Sequence, residues 1–278
     1  MDILYNKVCH QCSEMITKKY STSFSLGIRA FAKKFRKPIY SIYGFVRFAD
    51  EIVDTFSGVD KHGLLQRFRH DTFDAIDMQV SINPVLHAFQ QIVHEYEINH
   101  ELITAFLDSM EMDLTMFSHD KHSYDKYIYG SAEVVGLMCL HVFTEKNKSE
   151  YDRLAPYAKA LGSAFQKINF LRDVKSDFED RGRVYFPGVD FHSFSEVDKA
   201  TIEDDIQADF DKGLEGIRML PKGVRFGVYT AYKYYLFLFN KIKAFNSQTI
   251  LSQRIRVRNR RKLVLLTEAI VKNSLNMI

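Results

Sequence analysis

Tyr40-Ser41-Ile42-Tyr43-Gly44-Phe45-Val46-Arg47-Phe48-Ala49-Asp50-Glu51-Ile52-Val53-Asp54 is the stretch that decides the fold class. At about 100° per residue, eleven residues nearly complete three helical turns, so Tyr43, Arg47, Asp50 and Asp54 fall on one narrow stripe. Ile42, Phe45, Val46, Ala49 and Val53 supply apolar surface around it. A polar stripe set in apolar surroundings is not the solvent face of an ordinary amphipathic helix. Asp50 and Asp54, one turn apart, repel each other mildly unless a cation sits between them.

A second stretch repeats the pattern. In Ala164-Phe-Gln166-Lys-Ile-Asn169-Phe-Leu-Arg172-Asp173-Val-Lys-Ser-Asp177, the residues Gln166, Asn169, Asp173 and Asp177 align, flanked by Phe165, Ile168, Phe170 and Leu171. Two helices thus each offer an i, i+4 pair of carboxylates. Hard oxygen donors favour Mg²⁺, with Mn²⁺ as an alternative, and such ions share their remaining positions with water and phosphate oxygens. One such pair arises by chance on any charged helix; two, each on a polar stripe through apolar surroundings, are much harder to obtain by accident. The bland alternative pairs Asp50 with Arg47, and Asp173 with Arg172 or Lys175, on exposed faces, but it leaves the surrounding Phe and Ile unexplained. A di-iron bundle would need two Glu-x-x-His pairs. Only Glu97-Ile-Asn-His100 fits that spacing, and His100 reads as a helix-end or surface histidine.

Working outward, nearly every long segment has helical periodicity, with no hairpin signal, repeat period or low-complexity linker. The spacing predicts about ten helices in a single domain over 1–278: 2–19, 37–56, 60–77, 84–95, 99–117, 123–144 with a break near Gly130, 152–178, 195–218, 223–245 and 249–274. Pro38, Pro84, Pro187 and Pro221 suit helix starts or loops, and Pro156 suits a first turn or a kink. Ser195 with Asp198 resembles a capping box. The segment 179–194, with Gly182, Pro187 and Gly188, is the longest loop and follows the second acidic stretch, a position from which loops often close over a site.

Composition narrows the function classes. Hydrophobic residues make up 46% of the 278, enough for a sizeable core, and 23 Phe with 15 Tyr suit an aromatic interior. A formal charge of +3 gives no case for a nucleic-acid partner. The dense basic run from Arg254 to Lys262 reads as a solvated face or as an anion or membrane contact. Cys9, Cys12 and Cys139 are an odd number without zinc spacing, and read as free thiols of a reducing cytoplasm. The N-terminus lacks a secretory build, and the densest apolar stretch, Tyr234–Phe239, is far short of the roughly 20 residues that span a bilayer. The expected location is cytoplasmic.

At both acidic stretches the sequence resembles the squalene and phytoene synthase family, the head-to-head prenyl synthases, and the likeness runs in order along nearly the whole chain. Tyr20-Ser-Thr-Ser23-Phe24 resembles its early Ser-x-Ser-Phe element, and Asp50-Glu-Ile-Val-Asp54 its first aspartate motif. Tyr127-Ile-Tyr-Gly-Ser-Ala132-Glu-Val-Val135-Gly136 resembles its Tyr…Ala-Gly-x-Val-Gly helix. Gln166-x-x-Asn169-x-x-Arg172-Asp173-x-x-x-Asp177, followed by Arg181-Gly-Arg183-Val-Tyr185-Phe-Pro187, is similar to its second motif and trailing loop. Three positions depart: Thr22 where many relatives carry a basic residue, Glu133 where the family usually has Gly, and Glu51 between the first two aspartates.

The resemblance implies an all-α, isoprenoid-synthase-type bundle around a central apolar cavity. It implies that Asp50, Asp54, Asn169, Asp173 and Asp177 hold Mg²⁺ on substrate diphosphates. Arg47, Tyr43, Arg172 and Arg183 would contact diphosphate oxygens, and Ser23, Phe24, Tyr127, Gln166 and Tyr185 would line the reaction centre. The implied reaction ionises one prenyl diphosphate, forms a cyclopropyl diphosphate with the second, and rearranges it to a 1-1′ product. Short bacterial phytoene synthases are the nearest match, so the expected product is phytoene from two geranylgeranyl diphosphates, without NADPH. Squalene or dehydrosqualene from farnesyl diphosphate is the alternative. A class I terpene cyclase fits less well, because the second motif lacks the cyclase pattern; a non-catalytic relative that binds prenyl diphosphates fits less well with all four acids intact. Greasy substrates imply peripheral contact with the inner membrane face, for which Arg254–Lys262 and Tyr234–Phe239 are candidates, and downstream carotenoid enzymes as partners.

Overall fold

Helical periodicity becomes helix along most of the chain. The computed structural model describes residues 3–180, 182–191 and 193–257. Among them are α1 (Ile3–Tyr20), α2 (Thr22–Arg29), α3 (Lys33–Asp54), α4 (Lys61–Met78), α5 (Pro84–Tyr96) and α6 (His100–Thr115). Then follow α7 (Lys121–Ile128), α8 (Val134–Thr144), α9 (Lys148–Lys175), α10 (Glu196–Met219), α11 (Lys222–Lys243) and α12 (Ser247–Ser252). A π-helical segment, Tyr129–Glu133, joins α7 to α8, and a second, Ser176–Asp180, continues α9. The only strand-like pairing among the described residues is a single bridge between Ser118 and Val184.

Local chemistry sets the ends. Asn83, Asn99 and Asn147 accept backbone N–H bonds as N-caps of α5, α6 and α9, Pro84 opens α5, and Ser195 with Asp198 forms the expected capping box on α10. His100 is the first residue of α6 and exposed, as its sequence position suggests.

Four expectations need correction. Helix α2 is absent from the expected helices, because its eight residues include Gly27 and span barely two turns. Pro38 lies inside α3, which starts at Lys33, and Pro156 lies inside α9, two turns past its start. The carbonyl that Pro156 leaves without a helical donor belongs to Asp152, an exposed residue where water can serve. The helix expected over 249–274 is the short α12 followed by extended chain to residue 257. Ile255 and Val257 are buried between exposed Arg254 and Arg256, a period of two rather than 3.6. The rest of that expected helix falls outside the described residues.

Two apolar clusters wall a central cavity. One gathers α3 to α6 with α8, around Phe45 stacked on Phe89 at 4.0 Å and 3°. The other gathers α9 to α11, around Phe210 and Phe239. The first π segment is clamped between α6 and α9. A Cβ on Gly130 would come 2.4 Å from the Ala105 carbonyl, and one on Gly162 would come 2.7 Å from that of Ala132. Only glycine allows backbones this close. The run Lys121–Thr144 is long and apolar enough to cross a membrane by length and composition, but 61% of its apolar window is buried inside, as in a core helix.

Candidate active site

The two polar stripes line one cavity of about 620 Å³, reached by Tyr43, Arg47, Asp50 and Asp54 from α3 and by Gln166, Asn169, Arg172 and Asp173 from α9. Asp177 joins them from the π segment beyond α9, and Ser23 and Phe24 from α2. Tyr127 enters from α7, and Arg183 and Tyr185 from the loop after α9. Every residue singled out for the site therefore faces the same space. Thr22 is exposed on α2, and Glu133 sits on the side of the π segment facing Lys159 and Lys167, so neither departure from the family pattern reaches the cavity.

The pairs of the bland reading do form, but on the cavity wall. Arg47 pairs with Glu51 and lies 3.9 Å from Asp50. Its guanidinium also covers the Tyr20 ring at 4.4 Å. Arg172 bonds Asp173 through two nitrogens, and the Asp173 side chain is only 16% exposed.

Asp113 was not found from sequence. It projects from α6 and accepts hydrogen bonds from the Tyr127 hydroxyl (2.9 Å to each oxygen) and the Tyr185 hydroxyl (3.1 Å). Arg183 lies 3.5 Å from its carboxylate, donates to its backbone carbonyl at 2.8 Å and bridges to Asp54 at 3.2 Å. Burial works against the charge on Arg183, but Asp113, Tyr185 and Asp54 outweigh it and hold the guanidinium charged. Phe106, Met110 and Asp113 lie at i, i+4 and i+7, which puts the acid at the end of an apolar stripe, but its partners Tyr127, Arg183 and Tyr185 come from distant segments.

Further contacts fix the site. Arg183 N–H donates to the Asp177 carbonyl at 2.7 Å, and Val184 N–H to that of Phe117 at 2.8 Å, so the loop is pinned over the cavity. Tyr185 stacks on Phe170 at 4.0 Å, and Tyr235 stacks on Phe165 at 4.0 Å while donating to the Asn169 side-chain oxygen at 3.3 Å. Arg254 Nε lies 2.7 Å from Asp173. Arg254 therefore also borders the cavity mouth while remaining half exposed, and residues 258–262 of the basic run lie outside the described residues. The stretch Tyr234–Phe239 is likewise no such patch, because Tyr235, Leu238 and Phe239 are buried and Tyr234 and Tyr235 line the cavity.

Burial is the largest cause of raised pKa values at the carboxylates here: it pushes Asp50 up to about 7, with Arg47 opposing and Asp54 and Asp113 adding repulsion. Asp113 is pushed up to about 6 by burial, against the pull of Arg183. Among the described residues no three His, Cys, Asp or Glu side chains converge into a closed metal cage. Two open carboxylate pairs, acid-rich and oxygen-only, fit a hard ion that completes its shell with water and phosphate oxygens. The pairs fit that role as partial ligand sets.

Comparison with known proteins agrees. A family model described as squalene/phytoene synthase matches residues 17–261. The chain is 29% identical over 208 residues to 4,4'-diapophytoene synthase of Staphylococcus haemolyticus, covering 72% of this chain and 67% of that protein. It is 26% identical to the chloroplastic phytoene synthase 1 of Solanum lycopersicum, covering 97% of this chain and 69% of the relative. Its fold is similar to that of a crystallised dehydrosqualene synthase with a TM-score of 0.82, over 98% of both chains at 22% identity.

Proposed function

This chain belongs to the squalene/phytoene synthase family of head-to-head prenyl diphosphate synthases, and on that premise we propose that it joins two geranylgeranyl diphosphates into phytoene. The observation that carries the reading is the single cavity, with acids and arginines at one end and apolar walls behind them. The preference for C20 chains rests on the likeness to phytoene synthase 1 of Solanum lycopersicum, which extends over 97% of this chain.

Arg47, Arg172 and Arg183 supply positive charge where a departing diphosphate gains negative charge. Mg²⁺ held by Asp50, Asp54, Asn169, Asp173 and Asp177 together with diphosphate oxygens would add to that neutralisation. Asn169 keeps a lone pair for that purpose while accepting from Tyr235. After the first diphosphate departs, the double bond of the second substrate attacks the allylic cation. Loss of a proton gives the cyclopropyl diphosphate; departure of the second diphosphate then gives a cation that rearranges to the 1-1′ skeleton and loses a further proton, to a diphosphate oxygen, to become phytoene. Burial and the neighbouring Asp113 raise the Tyr127 pKa well above the ordinary phenol value, so the hydroxyl stays protonated. Its proton is committed to Asp113, which leaves the phenol oxygen to face the reacting carbons. Phe165, Phe170, Tyr185 and Tyr235 exclude water that would quench a cation and offer π faces that stabilise one.

A second reading, C15 substrates giving dehydrosqualene, is favoured by the diapophytoene synthase relative and the dehydrosqualene synthase fold match. Purified protein incubated with Mg²⁺ and C15 or C20 diphosphate, with and without NADPH, separates the readings. A C40 hydrocarbon without NADPH supports ours. A C30 product supports the second, a cyclic product from one substrate molecule supports a terpene cyclase, and no turnover supports a binding protein.

A further inference from the structure

The outer face of α1 carries a pattern that the reaction does not use. At about 100° per residue, Leu4, Val8 and Met15 fall within one narrow stripe, and they are 65%, 44% and 56% exposed. On one flank the Tyr5 hydroxyl donates to the Ser81 carbonyl at 2.6 Å, which brings the α4–α5 loop beside this face. At that loop's tip Ile82 is fully exposed. On the other flank runs a groove between α1, the end of α2 and the start of α3. It is lined by Lys7, Lys18, Arg29, Lys33, Arg36 and Lys37. Glu14 is the sole acid among the described groove-lining residues, and it pairs with Lys18.

An exposed apolar stripe costs solubility and marks a contact surface. Here it is bordered by cations of one sign, which fits a partner that is apolar inside and anionic at its surface. We propose that this face docks the protein on anionic phospholipid bilayers, with the stripe entering the headgroup layer and the groove cations holding lipid phosphates. The placement suits the cavity. The start of α3 supplies both Ile39 to the cavity's deep end and Arg36 and Lys37 to the groove, so the docked face lies at the end away from Asp50 and Asp54. The apolar tails, rather than the diphosphates, would then point to the membrane side.

Co-sedimentation with vesicles tests this without substrate, so its outcome is independent of the reaction. The full chain should bind vesicles containing phosphatidylglycerol, not pure phosphatidylcholine, and be released by high salt. Each cation near an anionic leaflet strengthens binding about fivefold. Lys7→Gln, Lys33→Gln and Lys37→Gln together should therefore lower the partition coefficient by about a hundredfold at low salt. Leu4→Ser, Val8→Ser and Met15→Ser together should weaken it without changing its salt dependence. A melting temperature kept within a few degrees would show that the variants fold. No binding of the parent chain to anionic vesicles overturns the proposal. So does binding that both variants retain, which would assign the contact to another face. Binding of duplex DNA with none to vesicles would also overturn it, in favour of a nucleic-acid site.

Discussion

Replacing Asp113 tests whether the cavity's acid end is a single coupled unit. The carboxylate accepts from two tyrosine hydroxyls and faces Arg183, and both ends of that ion pair are less than a tenth exposed. Breaking a buried pair by deleting one partner costs about 3–5 kcal/mol. Asp113→Ala should fall in that range, because Arg183 would keep one carboxylate, Asp54, beside the Tyr185 hydroxyl and a backbone carbonyl. Asp113→Asn keeps the shape and one acceptor, so its cost should be about 1–2 kcal/mol. For a chain of this size each kcal/mol moves the melting temperature by roughly 2–4 °C, so Asp113→Ala should melt about 10 °C lower and Asp113→Asn only a few degrees lower. Turnover should fall steeply in both, because Arg183, Tyr127 and Tyr185 lose their common anchor. Thermal unfolding followed by circular dichroism, together with hydrocarbon yield, reads both effects. If Asp113→Ala melts within 2 °C of the parent and keeps most of its turnover, the hub does not hold the site.

Other outcomes follow from the same geometry. Asp54→Ala or Asp173→Ala should lower turnover by at least about a hundredfold, since metal and arginine neutralisation contributes several kcal/mol, while circular dichroism stays that of the parent; near-normal turnover would refute the metal assignment. Asp50 has a folded pKa raised from 3.8 to about 7, so its linked stability is fully present below its unfolded pKa and lost as pH rises through about 7. Asp50→Asn should therefore raise the melting temperature of the metal-free protein at pH 8 and flatten its fall between pH 5 and 8, and an unchanged profile would contradict the burial argument. Gly130→Ala forces a Cβ to within 2.4 Å of the Ala105 carbonyl and should destabilise by about 1–3 kcal/mol, measured by denaturant midpoint; a neutral result would mean that the clamp on the π segment gives way.

Much of the site could be read from sequence because its geometry is local. Tyr43 to Asp54 spans twelve residues of α3, and Gln166 to Asp177 twelve residues of α9 and its π-helical continuation, where periodicity assigns the face. Helix starts were legible at Pro84 and Ser195, whereas the Ser21 and Asn147 caps went unread, so α2 was missed and α9 begins four residues before the expected 152. What escaped depends on distant partners. Asp113 reads as one more acid beside Asp108 and Glu111 until Arg183, seventy residues on, comes to cover it. Arg254 reads as part of a surface run until Asp173 draws it inward. The alternation of Arg254, Ile255, Arg256 and Val257 was in the sequence, but the surrounding charge was weighed in preference to its period. Pro38 and Pro156 misled because proline was used as a boundary marker, although a helix tolerates it in its early turns where the stranded carbonyl can reach water.

The central claim is that Asp50 with Asp54, and Asp173 with Asp177, face one another as ion-binding pairs around prenyl diphosphate. Crystals grown with Mn²⁺ and an unreactive prenyl thiodiphosphate would place the ions by anomalous scattering. The account predicts peaks within about 2.2 Å of carboxylate oxygens from both pairs, with diphosphate oxygens completing each shell. Peaks absent from both pairs, with the diphosphate bound elsewhere, would contradict it.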